Sequence, residues 1–206
     1  MRPSTLEIMR EKLMCDKELV RDYLRGDQKC FSVLMERHKS KVFSYIYMMV
    51  KDRAASEDLF QDVFIKVIHT LKSGKYNEEG KFLPWVMRIA HNLVIDHFRR
   101  EKKMPMVGGS GKEEFDIFKV IKIPEQNVED RMIREQANQE VRGLINRLPK
   151  EQKEVLLMRH YGELSFNEIA EQTNVSINTA LGRMRYALIN MRKMMEAKPS
   201  VSGMQF

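Results

Sequence analysis

The sequence predicts an all-α fold, two small helical domains joined by a flexible linker, and three observations carry that prediction. Glycine (10) and proline (6) are sparse in 206 residues, and most of both fall at the ends of periodic segments. Apolar residues recur at spacings of three and four along most of the chain, the period of a helix face. Between Met104 and Asp130 that periodicity weakens, and the stretch holds GGSG, two prolines and more acids than bases. Such a composition reads as a linker, with a short ordered stretch expected at Phe115–Val120. The resulting map is an N-terminal extension (1–15), a first domain (16–103), the linker (104–130), a second domain (131–195) and a tail (196–206).

The first helix runs from Asp16 to Arg25, with Leu19, Val20, Tyr23 and Leu24 on one face, Asp16 as its N-cap and Gly26 as its stop. Asp27 caps the second, whose stripe is Phe31, Leu34, Met35, His38, Val42, Tyr45, Ile46 and Met49. Asp52 opens the third, with Glu57 and Asp58 near its positive end and Leu59, Phe60, Val63, Phe64, Val67, Ile68 and Leu71 as its stripe. A polar loop follows, Lys72 to Lys81. The fourth helix begins near Phe82 with Pro84 in its first turn, where a missing N–H costs nothing, and ends near Lys103 in a basic run. Helical spacing resumes at Arg131, and Leu148-Pro149 starts a compact C-terminal unit.

Composition excludes several classes. No apolar run approaches the roughly 18 residues of a membrane span, and the N-terminus lacks a secretory apolar core. The expectation is a cytoplasmic chain with no membrane insertion. Cys15 and Cys30 stand without metal-ligand or redox spacing, so neither a disulfide scaffold nor a zinc cluster is expected. The five histidines have no HExxH setting, and no phosphate-binding glycine loop is present; no enzyme activity, cofactor or metal is expected. A net charge of +7 permits a polyanionic partner without requiring one.

The strongest local signal spans Glu163 to Met195. Ser165 and Glu168 form a capping box, Ala170 is small where a second helix must cross, and Asn174 suits a left-handed turn. Ser176 then caps a long helix carrying Asn178, Thr179, Gly182, Arg183 and Arg185. Two helices, a three-residue turn and a polar, basic leading face describe a helix-turn-helix, against the plainer reading of a helical hairpin with a solvated charged face. In the first reading Arg183 and Arg185 contact guanine edges or phosphates, and Asn178 and Thr179 contact bases or backbone. Gly182 reads either as close backbone approach to DNA or as simple tolerance.

In the first domain, Asp58, Gln61 and Asp62 lie at i, i+3 and i+4, either a solvated face or a surface that accepts a partner's arginines. On the fourth helix Arg88, His91, Asn92, Arg99 and Arg100 interleave with Phe82, Trp85 and Phe98. That mixture suits single-stranded nucleic acid, although Trp85 and Phe98 by themselves read more readily as core packing residues.

Three segments together carry a resemblance: DLFQDVFIKVIHTL (58–71), FLPWVMRIAHNLVIDHFRR (82–100) and LPKEQKEVLLMRHYGELSFNEIAEQTNVSINTALGRMRYAL (148–188). In this order and spacing the chain resembles the extracytoplasmic-function, or group IV, sigma factors of bacterial RNA polymerase. The resemblance implies a promoter-recognition subunit with region 2 and region 4 on a variable linker. It implies that Asp58, Gln61 and Asp62 dock on the β′ clamp helices of core RNA polymerase, which is contacted through its β subunit as well. It further implies that Asn92, with Arg88, His91, Arg99 and Arg100, serves the melted −10 element, and that the loop Lys72–Lys81 holds a flipped base. Ser176–Arg185 would read the −35 duplex, and an anti-sigma factor is an expected partner beside promoter DNA. The chain departs from the family pattern at His91, where a basic residue is frequent, so a lower or a pH-sensitive backbone affinity is expected there. It departs again at Thr179-Ala180-Leu181-Gly182-Arg183, which replaces T-V-K-S-R, so the −35 sequence does not transfer. Two competing readings remain: a dimeric helix-turn-helix regulator that binds duplex without polymerase, and a helical adapter with no nucleic-acid role.

Overall fold

A computed structural model describes residues 13–77, 79–103 and 128–197. These residues form eight helices: α1 Asp16–Leu24, α2 Gln28–Val50, α3 Arg53–Lys72, α4 Phe82–Lys103, α5 Val128–Asn146, α6 Lys150–Gly162, α7 Phe166–Thr173 and α8 Ile177–Glu196. They divide between two compact units, the first built on α1–α4 and the second on α5–α8. Phe115–Val120, most of the expected linker, the extension before residue 13 and the tail after 197 lie outside the described residues. Helix α5 begins at Val128, three residues ahead of Arg131, where helical spacing was expected to resume.

In the first unit α2 is the central helix, packed against α1, α3 and α4. Its junction with α3 takes two residues. Lys51 adopts the left-handed conformation (φ 63°), and Asp52 returns to extended backbone and accepts from the Ala55 N–H at 2.7 Å. The junction of α1 with α2 relies on Gly26 at φ 112°, a region that favours glycine, followed by Asp27 accepting from the Lys29 N–H. Both caps stand where the sequence places them. The core layers Leu19, Val20, Leu34, Val42, Ile46, Val63, Val67, Val86 and Met87, all at most 1% exposed. Each of these side chains contributes on the order of 1.5–3 kcal/mol on leaving water.

Two expectations fail at α1. Leu24 is 52% exposed. At about 100° per residue it lies outside the arc shared by Leu19, Val20 and Tyr23, so the face narrows before the helix ends. The helix also starts one residue early for the expected cap. Cys15 takes the N-cap position, its N–H bonded to Glu18 at 2.9 Å. Asp16 instead reaches across to α2, where its carboxylate pairs with Arg37 and lies 2.7 Å from His38 Nε2. Arg37 also donates to the Met14 carbonyl at 2.9 Å. Burial pushes the Asp16 carboxyl up, but hydrogen bonds and charge from His38 and Arg37 outweigh it and hold the group below its ordinary value.

In the second unit Leu144, Ile145, Leu148, Val155, Leu157, Met158, Leu164 and Ile169 form the core. Asn190 bonds Gln152 at 2.9 Å, tying α8 to α6.

The Asp16 clip generates a prediction. Because its pKa is depressed on folding, its stabilisation is present above the ordinary carboxylate range and fades as pH falls through the lowered value. Asp16→Asn should cost about 1–2 kcal/mol at pH 7, the worth of a charge-assisted hydrogen bond, and raise amide exchange in α1. The deficit relative to wild type should vanish in acid; a deficit that persists unchanged at pH 2 contradicts the assignment.

Candidate nucleic-acid interface

Helix α4 presents two faces because its burial pattern fixes its rotation. Val86, Met87, Ala90, His91 and Val94 are buried on the core side. Opposite them Trp85, Arg88, Asn92 and Arg99 fall within about 60° of one another at the helical period. Asn92 and Arg99 are exposed, and Trp85 and Arg88 are half-buried. The structure therefore brings three of the five expected residues, Arg88, Asn92 and Arg99, into one stripe and adds Trp85 at its leading end.

His91 is corrected. It is 3% exposed, and its Nδ1 shares a 2.9 Å hydrogen bond with the fully buried Tyr45 hydroxyl of α2. A histidine one position before Asn92 must point about 100° away from it, into the packed interface. Its ring positions α4 and offers no surface whose charge would tune backbone affinity. Arg100 also leaves the stripe, turned about 90° from its centre. It lines a cleft of about 200 Å³ between α3 and α4 together with Asp58, Asp62, Leu59, Leu93 and His97.

The loop preceding α4 covers an aromatic cluster that the sequence did not single out as a unit. Tyr76 packs on Trp85 with ring centroids 4.3 Å apart and meets Phe82 edge-on. Gly74 and Gly80 both take positive φ, 68° and 74°, bending the chain on either side of Tyr76. Lys72, Lys75 and Lys81 are exposed around it. A ring platform edged by ammonium groups is what an unstacked base with its phosphate requires.

On α3, Asp58, Gln61 and Asp62 are all exposed on one face. Ile65, which lies off the main apolar stripe of α3, sits on the same face and is 54% exposed. Its i+3 and i+4 spacing from Asp62 and Gln61 was the available signal. An exposed apolar residue ringed by acids has the make-up of an interface core with a charged rim.

In the second unit, α7 and α8 form the expected helix-turn-helix. Ser165 and Glu168 complete the capping box, with Ser165 N–H to Glu168 at 2.8 Å, and Asn174 adopts φ 53°, ψ 49°. Ser176 caps α8, accepting from the Thr179 N–H at 3.1 Å while the two hydroxyls meet at 2.9 Å. These two side chains hold the helix start and are exposed. Ala180 and Ala187 are fully buried and fix the rotation of α8. Asn178 and Arg185 then face outward on one row, while Arg183 lies about 160° from Arg185 and is half-buried. Burial pushes the Glu154 carboxyl of α6 above its ordinary value, against the favourable charge of Lys150 and Arg183. Arg183 and Arg185 therefore do not share one face. A Cβ on Gly182 would meet nothing within 4 Å, so internal packing does not demand glycine there.

Comparison with known proteins agrees with this division. Residues 34–104 match Sigma-70 region 2, and residues 138–185 match Sigma-70, region 4. The chain is 27% identical over 182 residues to the ECF RNA polymerase sigma factor SigW of Bacillus subtilis, covering 87% of this chain and 96% of that one. It is 27% identical to the RNA polymerase sigma-H factor of Pseudomonas aeruginosa, covering 82% and 88%. Among solved structures, the sigma factor RpoE in complex with the anti-sigma factor NepR from Bartonella quintana shares the fold, with TM-score 0.60, 13% identity and coverage of 83% and 99%. CnrH in complex with the cytosolic domain of CnrY does so with TM-score 0.58, 18% identity and coverage of 89% and 99%.

The rotation of α4 is testable through its buried bond. Tyr45→Phe should lower stability by about 1–2 kcal/mol in urea unfolding and raise amide exchange along α4. Stability equal to wild type would mean that the Tyr45–His91 pair does not fix the helix.

Proposed function

The chain belongs to the sigma-70 family, as an extracytoplasmic-function sigma factor that directs transcription initiation, and from that premise we propose how its residues share the work. Residues 16–103 serve as region 2 and residues 131–195 as region 4. Region 4 binds the −35 element as duplex, with Asn178 and Arg185 toward base edges and Ser176, Thr179 and the backbone near Gly182 toward phosphate. Arg183 supports that helix from its flank. Region 2 holds the melted −10 strand along Trp85, Arg88, Asn92 and Arg99, with an unstacked base on the Tyr76–Trp85 platform.

The single observation that supports this reading best is the sorting of α4. An amide and two guanidinium groups share one face with an accessible indole, while the opposite face is committed to the core. Double-stranded contact through phosphates is salt-sensitive and sequence-tolerant. Capture of unstacked bases then offsets the few kcal/mol that unstacking costs, so no hydrolysis is needed. We accordingly assign no enzymatic role to the chain and place its action in the cytoplasm. Among the described residues no helix is long and apolar enough to cross a membrane.

Asp58, Gln61 and Asp62, centred on Ile65, form the docking face for core RNA polymerase, and the β′ clamp helices are the expected counterpart. Arg100 belongs with this face across the cleft. A relative of the same fold is held by an anti-sigma factor, and we extend that mode of regulation to this chain.

Asp62→Arg should weaken binding to core polymerase at least tenfold with far-UV circular dichroism unchanged, and Ile65→Ala should weaken it by a smaller factor. Unchanged affinity in both variants contradicts the docking face. Asn92→Ala should slow open-complex formation, read by permanganate reactivity, more than initial duplex binding. Equal losses in the two steps contradict strand capture.

A further inference from the structure

Leu181 is 43% exposed on the second turn of α8. At the helical period it lies about 40° from Arg185 and about 60° from Asn178, at one edge of the row they form. Both neighbours in the row are exposed, and the buried side of the helix belongs to Ala180 and Ala187. Leu181 is therefore not a misplaced core residue; the core-facing positions of this turn are already filled by alanine. Ile177, one turn earlier and 41% exposed, extends the same apolar strip toward the helix start.

A leucine within a row of a hydrogen-bonding amide and a guanidinium suits a partner that offers both chemistries. Duplex DNA does so in its major groove, where the thymine 5-methyl is the apolar group among donors and acceptors. The next residue, Gly182, lies about 100° around the helix, on the other flank of this outward face beside Asn178, and has open space where a Cβ would be. Glycine is a poor helix former, and no internal contact calls for it here. Its bare backbone beside Leu181 lets the helix sink closer to a base edge.

We infer that Leu181 is a specificity residue that contacts the 5-methyl group of a thymine in the −35 duplex, with Gly182 clearing the approach. This rests on the reading of α8 as the duplex-binding helix and names what one of its positions reads. The preferred −35 element then contains a thymine recognised through its methyl group, a contact that deoxyuridine, identical in pairing, lacks.

The test uses the full chain with core RNA polymerase. Promoter duplexes are selected from a library randomised in the upstream element, and each selected thymine is replaced singly by deoxyuridine. At one thymine the replacement should weaken wild-type binding about fourfold, the worth of one methyl group returned to water. In Leu181→Ala, with helix content checked by circular dichroism, the same replacement should cost nothing further. Selection repeated with Leu181→Lys should lose the preference for thymine at that position. Deoxyuridine tolerated at every selected thymine, or a penalty undiminished in Leu181→Ala, overturns the inference while leaving duplex recognition by α8 standing. Failure to select any upstream sequence overturns both.

Discussion

The hydrogen bond between the Tyr45 hydroxyl and His91 Nδ1 governs more of this protein than its size suggests. It lies wholly inside the first unit and joins the central helix to α4. A helix held by apolar packing has latitude to roll by a few tens of degrees, because dispersion contacts are many and weak. A buried polar pair has little such latitude, since a lost partner costs the full desolvation of what remains. With His91 fixed inward, Asn92 must face outward, and Arg88 and Arg99 follow at one and two turns from it. The surface proposed to meet nucleic acid is thus set by a contact outside it.

The second unit reaches the same end by other means. Alanine at 180 and 187 lets α8 lie close to its neighbours, and the Ser176 cap fixes where the helix begins. The left-handed Asn174 and the capping box at Ser165 fix the turn before it. Rotation here is chosen by side-chain volume and by caps, with the Asn190–Gln152 hydrogen bond tying α8 to α6. The outcome is again a division of faces: Asn178, Leu181 and Arg185 outward, Arg183 half-buried on the other side.

Much of this was legible in the sequence. The caps at Asp27, Asp52, Ser165 and Ser176 and the turn at Asn174 all sit where residue chemistry placed them, because each acts over three or four residues. The apolar stripes of α2 and α3 were legible for the same local reason. What failed required knowledge of a partner helix. Asp16 looked like a cap because acids cap helices, yet its partners are Arg37 and His38, more than twenty positions away. His91 looked like a surface contact because it sits beside Asn92 in a basic segment, and only the placement of Tyr45 shows that it is interior. Arg183 and Arg185 read as a pair in sequence, although residues two apart on a helix face nearly opposite ways. Ile65 and Leu181 were passed over because an apolar residue off the main stripe signals nothing until the rest of its face is known.

The central claim is that these two sorted surfaces act together on polymerase and promoter. Run-off transcription on fragmented genomic DNA tests it most directly, comparing core RNA polymerase with and without the purified chain. The account predicts new, discrete start sites that depend on the chain and share an upstream and a downstream element. Specific duplex binding by the chain without polymerase, and no new start sites when polymerase is present, would contradict it.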